Sequence, residues 1–139
     1  LALREKTDIF IACAAVADYR PADVSEQKIK KTGAVTTLTL EPNPDIVMSM
    51  SEHQPAPFVV GFAAETEKLR EHADGKRRRK RMNLIVANDV SDKSIGFNSD
   101  SNAALLLWDG GELTIERCSK TVMASRIMMQ IGELYPDSA

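Results

Sequence analysis

The sequence predicts an α/β fold: a Rossmann-like open sheet, mostly parallel, ending in an antiparallel edge hairpin and carrying a flap. Three observations predict it. Short continuous apolar runs occur at residues 9–17 (IFIACAAVA), 58–62 (FVVGF) and 83–87 (NLIVA), and stretches of helical character lie between the later ones. Such runs suit strands covered on both faces. A turn at Asp109-Gly110-Gly111-Glu112 then joins strands at 103–108 and 113–117, which is the pattern of a hairpin. At 139 residues the chain fits one domain.

The elements follow in order. The first strand, 9–17, is bounded by the polar Asp18-Tyr19-Arg20-Pro21. Residues 28–40 hold two extended stretches around Thr32-Gly33, the second alternating through Thr36-Thr37-Leu38-Thr39-Leu40, and predict an irregular hairpin or flap. Asn43-Pro44-Asp45 opens a helix, with Asn43 as cap, Pro44 first and Asp45 at the positive end of the dipole. A helix from about 66 to 81 follows the second strand, and a polar loop at 91–102 follows the third. An amphipathic, Met-rich helix at 121–135 closes the chain.

Composition bounds the function. Hydrophobic residues make up 43% and charged residues 27%, with 18 Lys+Arg against 20 Asp+Glu and a net charge of −2. That balance excludes a disordered chain and argues against general nucleic-acid affinity. No apolar run approaches the roughly 20 residues of a membrane span. Cys13 and Cys118 lack metal-ligand spacing, and Cys13 reads as a small core hydrophobe. The expectation is a reduced, cytoplasmic protein without membrane or nucleic-acid partners. The chain starts at Leu1 without Met or a signal-like segment, and reads as a piece of something longer.

In open α/β sheets ligands bind beyond the carboxyl ends of the strands. Residues 14–18, 62–65 and 87–89 fall there, each a set of small residues followed by a polar one. Such ends admit a ligand close to the backbone, or simply allow helix and strand to pack. Neither GxGxxG nor GxxxxGK[ST] occurs. Lys76 and Lys80, within the basic run 76–81, are four apart on one helix face and could straddle a polyphosphate; the competing reading is a solvated basic face near a helix C-terminus. Lys28-Ile29-Lys30-Lys31 is either protection of an exposed edge or a mobile cation above a site. His53 and His72 read as surface residues, and Met123, Met128 and Met129 as core or interface packing. No Ser/His/Asp or Cys/His constellation is present.

Five blocks carry a family resemblance: Ala14-Ala15-Val16-Ala17-Asp18-Tyr19, Lys28-Ile29-Lys30-Lys31, Asn43-Pro44-Asp45-Ile46, Gly61-Phe62-Ala63-Ala64-Glu65-Thr66 and Ala87-Asn88-Asp89-Val90, with Gly96-Phe97 beyond them. In this order they closely resemble bacterial phosphopantothenoylcysteine synthetase (phosphopantothenate–cysteine ligase) from about Ile9 to Tyr135. That is the synthetase half of a bifunctional coenzyme A biosynthesis protein. The resemblance implies that residues 1–139 are the C-terminal portion of one synthetase domain, with the flap at about 28–40. It implies CTP as co-substrate, Mg²⁺, 4′-phosphopantothenate and L-cysteine as substrates, and a homodimer. FMN would belong only to a fused decarboxylase outside this chain.

Carried over by position, Ala12, Cys13, Ala14 and Asp18 match the first nucleotide-contacting segment. Lys28 matches the flap lysine over the reacting centre and is the expected catalytic residue. Pro44, Asp45, Ile46, Val47 and Phe62 match further CTP contacts, and Lys76 and Lys80 the pair that holds the triphosphate. Arg77, Arg78, Arg79 and Arg81 match no such position and keep the solvated-face reading. The resemblance assigns no Mg²⁺ ligand here. Two departures stand out. Asn83 occupies a position where the family commonly has Asp, keeping polarity without charge. The family's Gly-rich first unit and Asn-x-Ser-Ser-Gly acyl-binding segment are not in these residues. Three other readings compete: an ATP-using eukaryote-type relative, a non-catalytic nucleotide-binding or dimerisation fragment, and a dehydrogenase-type domain.

Overall fold

Residues 58–61 and 84–87 are buried without a break and form the centre of the sheet in the computed structural model, which describes residues 6–90 and 101–135. The elements are β1 (Ile9–Ala12), β2 (Tyr19–Pro21), β3 (Leu40–Pro42), α1 (Ile46–Ser51), β4 (Phe58–Glu65), α2 (Leu69–Arg79), β5 (Leu84–Asp89), β6 (Ser101–Trp108), β7 (Gly111–Ser119) and α3 (Lys120–Leu134). The main sheet runs β1-β4-β5-β6-β7. β1, β4 and β5 are parallel, and β6 and β7 add an antiparallel hairpin at the β5 edge. This is the expected open α/β sheet.

Alternation along the strands divides the core into two layers. Val60, Leu84, Val86 and Leu106 face α3 and meet Met123, Ile127 and Ile131. Val59, Ile85, Ala87 and Leu105 face the other way and meet Met50, Ala73 and Met82. β7 passes into α3 without a loop: Ser119 ends the strand and caps the helix, its side chain accepting from the Val122 amide at 3.2 Å.

Several expectations are corrected. The first strand stops at Ala12 and is an edge strand, no better than half-buried, because among the described residues it pairs only with β4. Cys13 therefore lies outside the core and is exposed. The helix after Pro44 is capped by Asp45, whose side chain accepts from the Met48 amide; Asn43 instead donates to the Ala17 carbonyl at 2.8 Å. α2 starts after Lys68, later than expected, because β4 continues along β5 to Glu65. In the flap, residues 28–39 have no regular structure. The pairing lies below them, between β2 and β3. Arg77 is buried rather than solvated, with Nε 3.0 Å from Asp74 and Nη1 reaching the Met82 carbonyl. Met123 packs in the core, one of the two places expected for these methionines, and Met128 and Met129 are exposed in the single chain. Gly96-Phe97 and most of the expected polar loop lie outside the described residues.

Candidate nucleotide-binding cleft

The carboxyl ends of β1 and β4 open onto a cavity of about 510 Å³, where the strand-end rule expects a ligand. Four segments surround it. Ala12, Cys13, Ala14 and Asp18 come from the end of β1 and the chain beyond it. Pro44, Asp45, Ile46 and Val47 form the start of α1. Phe62 belongs to β4, and Lys76 and Lys80 to the end of α2. The cavity thus collects every expected nucleotide-contacting residue except Lys28, which stands exposed on the flap and is not part of the lining.

Local structure explains how these residues are held. The flap's stem is braced by Arg20, which pairs with Glu41 at 2.8 Å and donates to the Pro42 carbonyl and to Asn43 Oδ1. With its amide on Ala17, Asn43 links the chain after β1 to the start of α1 across the cavity mouth. Asp45 accepts from the Met48 amide at 3.0 Å through Oδ1, and its Oδ2 lies 2.8 Å from Lys80 Nζ. Partial burial pushes the Asp45 carboxyl upward, but the hydrogen bonds from Lys80, Met48 and Val47 outweigh it and hold the group below the ordinary carboxylate value. Lys76 is half-buried and has no ion pair among the described residues.

Asn43, Gly61 and Met82 are among the lining residues not anticipated as site residues. Asn43 was legible as a polar residue before Pro44 but was assigned to the helix cap. Gly61 and Met82 form the floor. The Met82 thioether fills the space a Cβ would need at Gly61, so a larger residue there would have to displace the Met82 side chain. Met82 is 4% exposed and lies 21 positions from Gly61, a pairing with no local signal. Among the described residues no group of three or more His, Cys, Asp or Glu could hold a metal. Asp18 and Asp45 are the cavity's carboxylates, and Asp45 is already paired. No helix among the described residues is long and apolar enough to cross a membrane.

A parallel α/β sheet with a polar-rimmed cleft at its strand ends and two lysines on one wall defines a Rossmann-like ligand-binding domain. The chain belongs to the family of DNA/pantothenate metabolism flavoprotein C-terminal domains, whose model matches residues 1–135. It is 49% identical over 91% of its length to the coenzyme A biosynthesis bifunctional protein CoaBC of Vibrio vulnificus (strain CMCP6), covering 32% of that protein. To CoaBC of Escherichia coli (strain K12) it is 43% identical over 96% of its length, covering 34% of that protein. The chain therefore spans about a third of these curated relatives. A crystal structure of the C-terminal domain of a CoaBC protein superposes with a TM-score of 0.76 at 30% identity, covering 99% of this chain and 59% of that one.

Proposed function

We propose that this chain is the nucleotide-binding portion of a phosphopantothenate–cysteine ligase that uses CTP. The observation that carries the reading is the single cleft in which Ala12–Ala14, Asp18, Pro44–Val47, Phe62, Lys76 and Lys80 meet. The similarity to CoaBC proteins supports the pathway. A carboxylate is a poor acyl donor until joined to a good leaving group. In the first step the carboxylate of 4′-phosphopantothenate attacks the α-phosphorus of CTP, expelling pyrophosphate and leaving an acyl-cytidylate. In the second the cysteine amine attacks the acyl carbon and CMP departs with the bonding electrons, the amine losing a proton.

The residues take distinct parts. Lys76 and Lys80 meet the triphosphate, and the start of α1 with the end of β1 meets base and sugar. Lys28 closes over the reacting centre and meets the charge that develops when CMP leaves. Mg²⁺, when bound, offsets phosphate charge during attack. It favours one or two carboxylates together with substrate oxygens, a donor set that Asp18 fits because it lines the cleft outside any ion pair among the described residues. FMN would belong to a fused decarboxylase outside this chain, as in the bifunctional CoaBC relatives, and the proposed setting is the cytoplasm.

The exposed apolar side chains of the flap arm, Val24 (83%), Ile29 (71%) and Val35 (98%), support a homodimer that covers them. Thermal unfolding tests the assignment. CTP should raise the midpoint clearly more than ATP at equal concentration, and Lys76→Ala with Lys80→Ala should remove most of that gain. Equal stabilisation by the two nucleotides would sink the bacterial-type assignment.

A further inference from the structure

The two lysines of the cleft are not equivalent. Lys76 has no ion pair among the described residues, whereas Lys80 Nζ lies 2.8 Å from Asp45 Oδ2. Lys80 is also held through its backbone. Its amide bonds to the Lys76 carbonyl at 3.0 Å, and its own carbonyl accepts from Ser51 Oγ at 2.8 Å. Asp45 is committed just as fully, with Oδ1 capping α1 and Oδ2 on Lys80. One carboxylate thereby ties the first turn of α1 to the end of α2, on the cleft wall.

A carboxylate in that place acts on an arriving polyanion in two opposing ways. It aims the Lys80 ammonium, which conserves the rotamer entropy of one side chain. It also cancels that ammonium's charge and repels each phosphate that approaches within a few ångströms. The Lys80 side chain is only 24% exposed, so solvent screens the repulsion incompletely. Aiming acts once, while repulsion grows with every negative charge on the ligand. The charged groups of the cleft are Lys76, Lys80, Asp18 and Asp45, whose formal charges cancel. The polyphosphate wall is thus weaker than two lysines would make it.

The geometry points to Asp45 as an intramolecular competitor for Lys80, a carboxylate that holds the cleft's affinity for polyphosphate below what its two lysines would give alone. This rests on the reading of the cleft as a polyphosphate site. In the proposed reaction it has a use at product release, since Asp45 recaptures Lys80 as pyrophosphate leaves.

Inorganic triphosphate is the probe, because it makes no base or ribose contacts. Asp45→Asn and Asp45→Ser both keep a side-chain acceptor for the Met48 amide while removing the charge. Titration calorimetry on the whole chain at low salt should show each binding triphosphate about tenfold more tightly than the parent, the scale of one charged hydrogen bond. The gain should vanish when Lys80→Ala is added, so that Asp45→Asn with Lys80→Ala binds no better than Lys80→Ala alone. Parent-like or weaker binding by both neutral variants, each still folded at the titration temperature, would overturn the competition and leave Asp45 as a residue that aims Lys80. A gain that survives Lys80→Ala would also overturn it. A different result, triphosphate binding untouched by Lys76→Ala with Lys80→Ala, would instead bring down the polyphosphate reading itself.

Discussion

Every residue from 58 to 61 and from 84 to 87 is buried, while every residue from 13 to 40 is exposed. The two regions meet at the cleft and are held by different means. The sheet centre is fixed by side-chain packing in two layers, which tolerates little change in volume. The flap arm has the β2–β3 stem, the Arg20–Glu41 pair and short-range bonds such as Ser25 Oγ to the Gln27 carbonyl. A segment so poor in buried contacts sits at the low end of local stability. A rigid wall shapes a site, and a weakly held arm can close over it.

The sharpest way to test that contrast is to change function through the arm alone. Lys28→Gln, made in the complete domain, should lower amide formation by roughly 10²–10³ while the unfolding midpoint stays put. Pyrophosphate should still be released about once per site, because in the proposed reaction Lys76 and Lys80 serve the first step, and acyl-cytidylate should build up in the mass spectrum. Product at the parent rate would make Lys28 an ordinary edge charge.

A change in the wall should do the reverse. Gly61→Ala drives a methyl group into the Met82 thioether, and overpacking of this kind costs about 1–3 kcal/mol, measurable by urea unfolding. The displaced Met82 also enters the cleft, so CTP binding should weaken in step. Unchanged stability would show that Met82 has room to move.

Acid should loosen the tie between the start of α1 and the end of α2 on the cleft wall. Partial burial is outweighed by hydrogen bonds from Lys80 and the Met48 amide, which hold the Asp45 carboxyl below the ordinary carboxylate value in the folded chain, so its stabilising contribution is complete above the unfolded value and disappears as pH falls through the lower, folded one. Melting followed from pH 5 down to pH 3 should therefore show a decline that Asp45→Asn reduces. Parallel curves for the two proteins would mean that the carboxylate adds nothing to the fold.

The smallest effect belongs to the tip of the arm. Val35 is 98% exposed, and Val35→Ser should shift the stability of the monomer by no more than about 0.5 kcal/mol. A larger loss at dilute concentration, read by chemical unfolding, would reveal packing that the arm does not have in this structure.

Legibility in the sequence follows the same division. β4 and β5 stood out because strands buried on both faces are continuous apolar runs. The 9–17 run looked the same but contains an edge strand of four residues, since burial depends on neighbours that a one-dimensional pattern does not display. Asn43 and Asp45 can each cap a helix, and a contact 26 positions away, with the Ala17 carbonyl, decided between them. Alternation in the 36–40 stretch suggested strand, yet only Leu40 is in one, because the pairing with the other arm of the stem fades after the Thr39 carbonyl, which accepts from the Ala22 amide at 2.9 Å. The lining of the cleft was anticipated through the family blocks rather than periodicity. Met82 escaped both approaches, because its contact with Gly61, itself part of a family block, exists only after β4 and the chain beyond α2 have packed.

Asn83 settles a question that its amino-acid type raises. Its Oδ1 accepts from the Val59 amide at 2.8 Å while its own amide donates to the Val59 carbonyl at 2.9 Å, so β5 is latched to β4 by one side-chain oxygen and one backbone N–H. Aspartate offers the same oxygen. A single-letter drift between the two residues over evolutionary time would leave that latch intact.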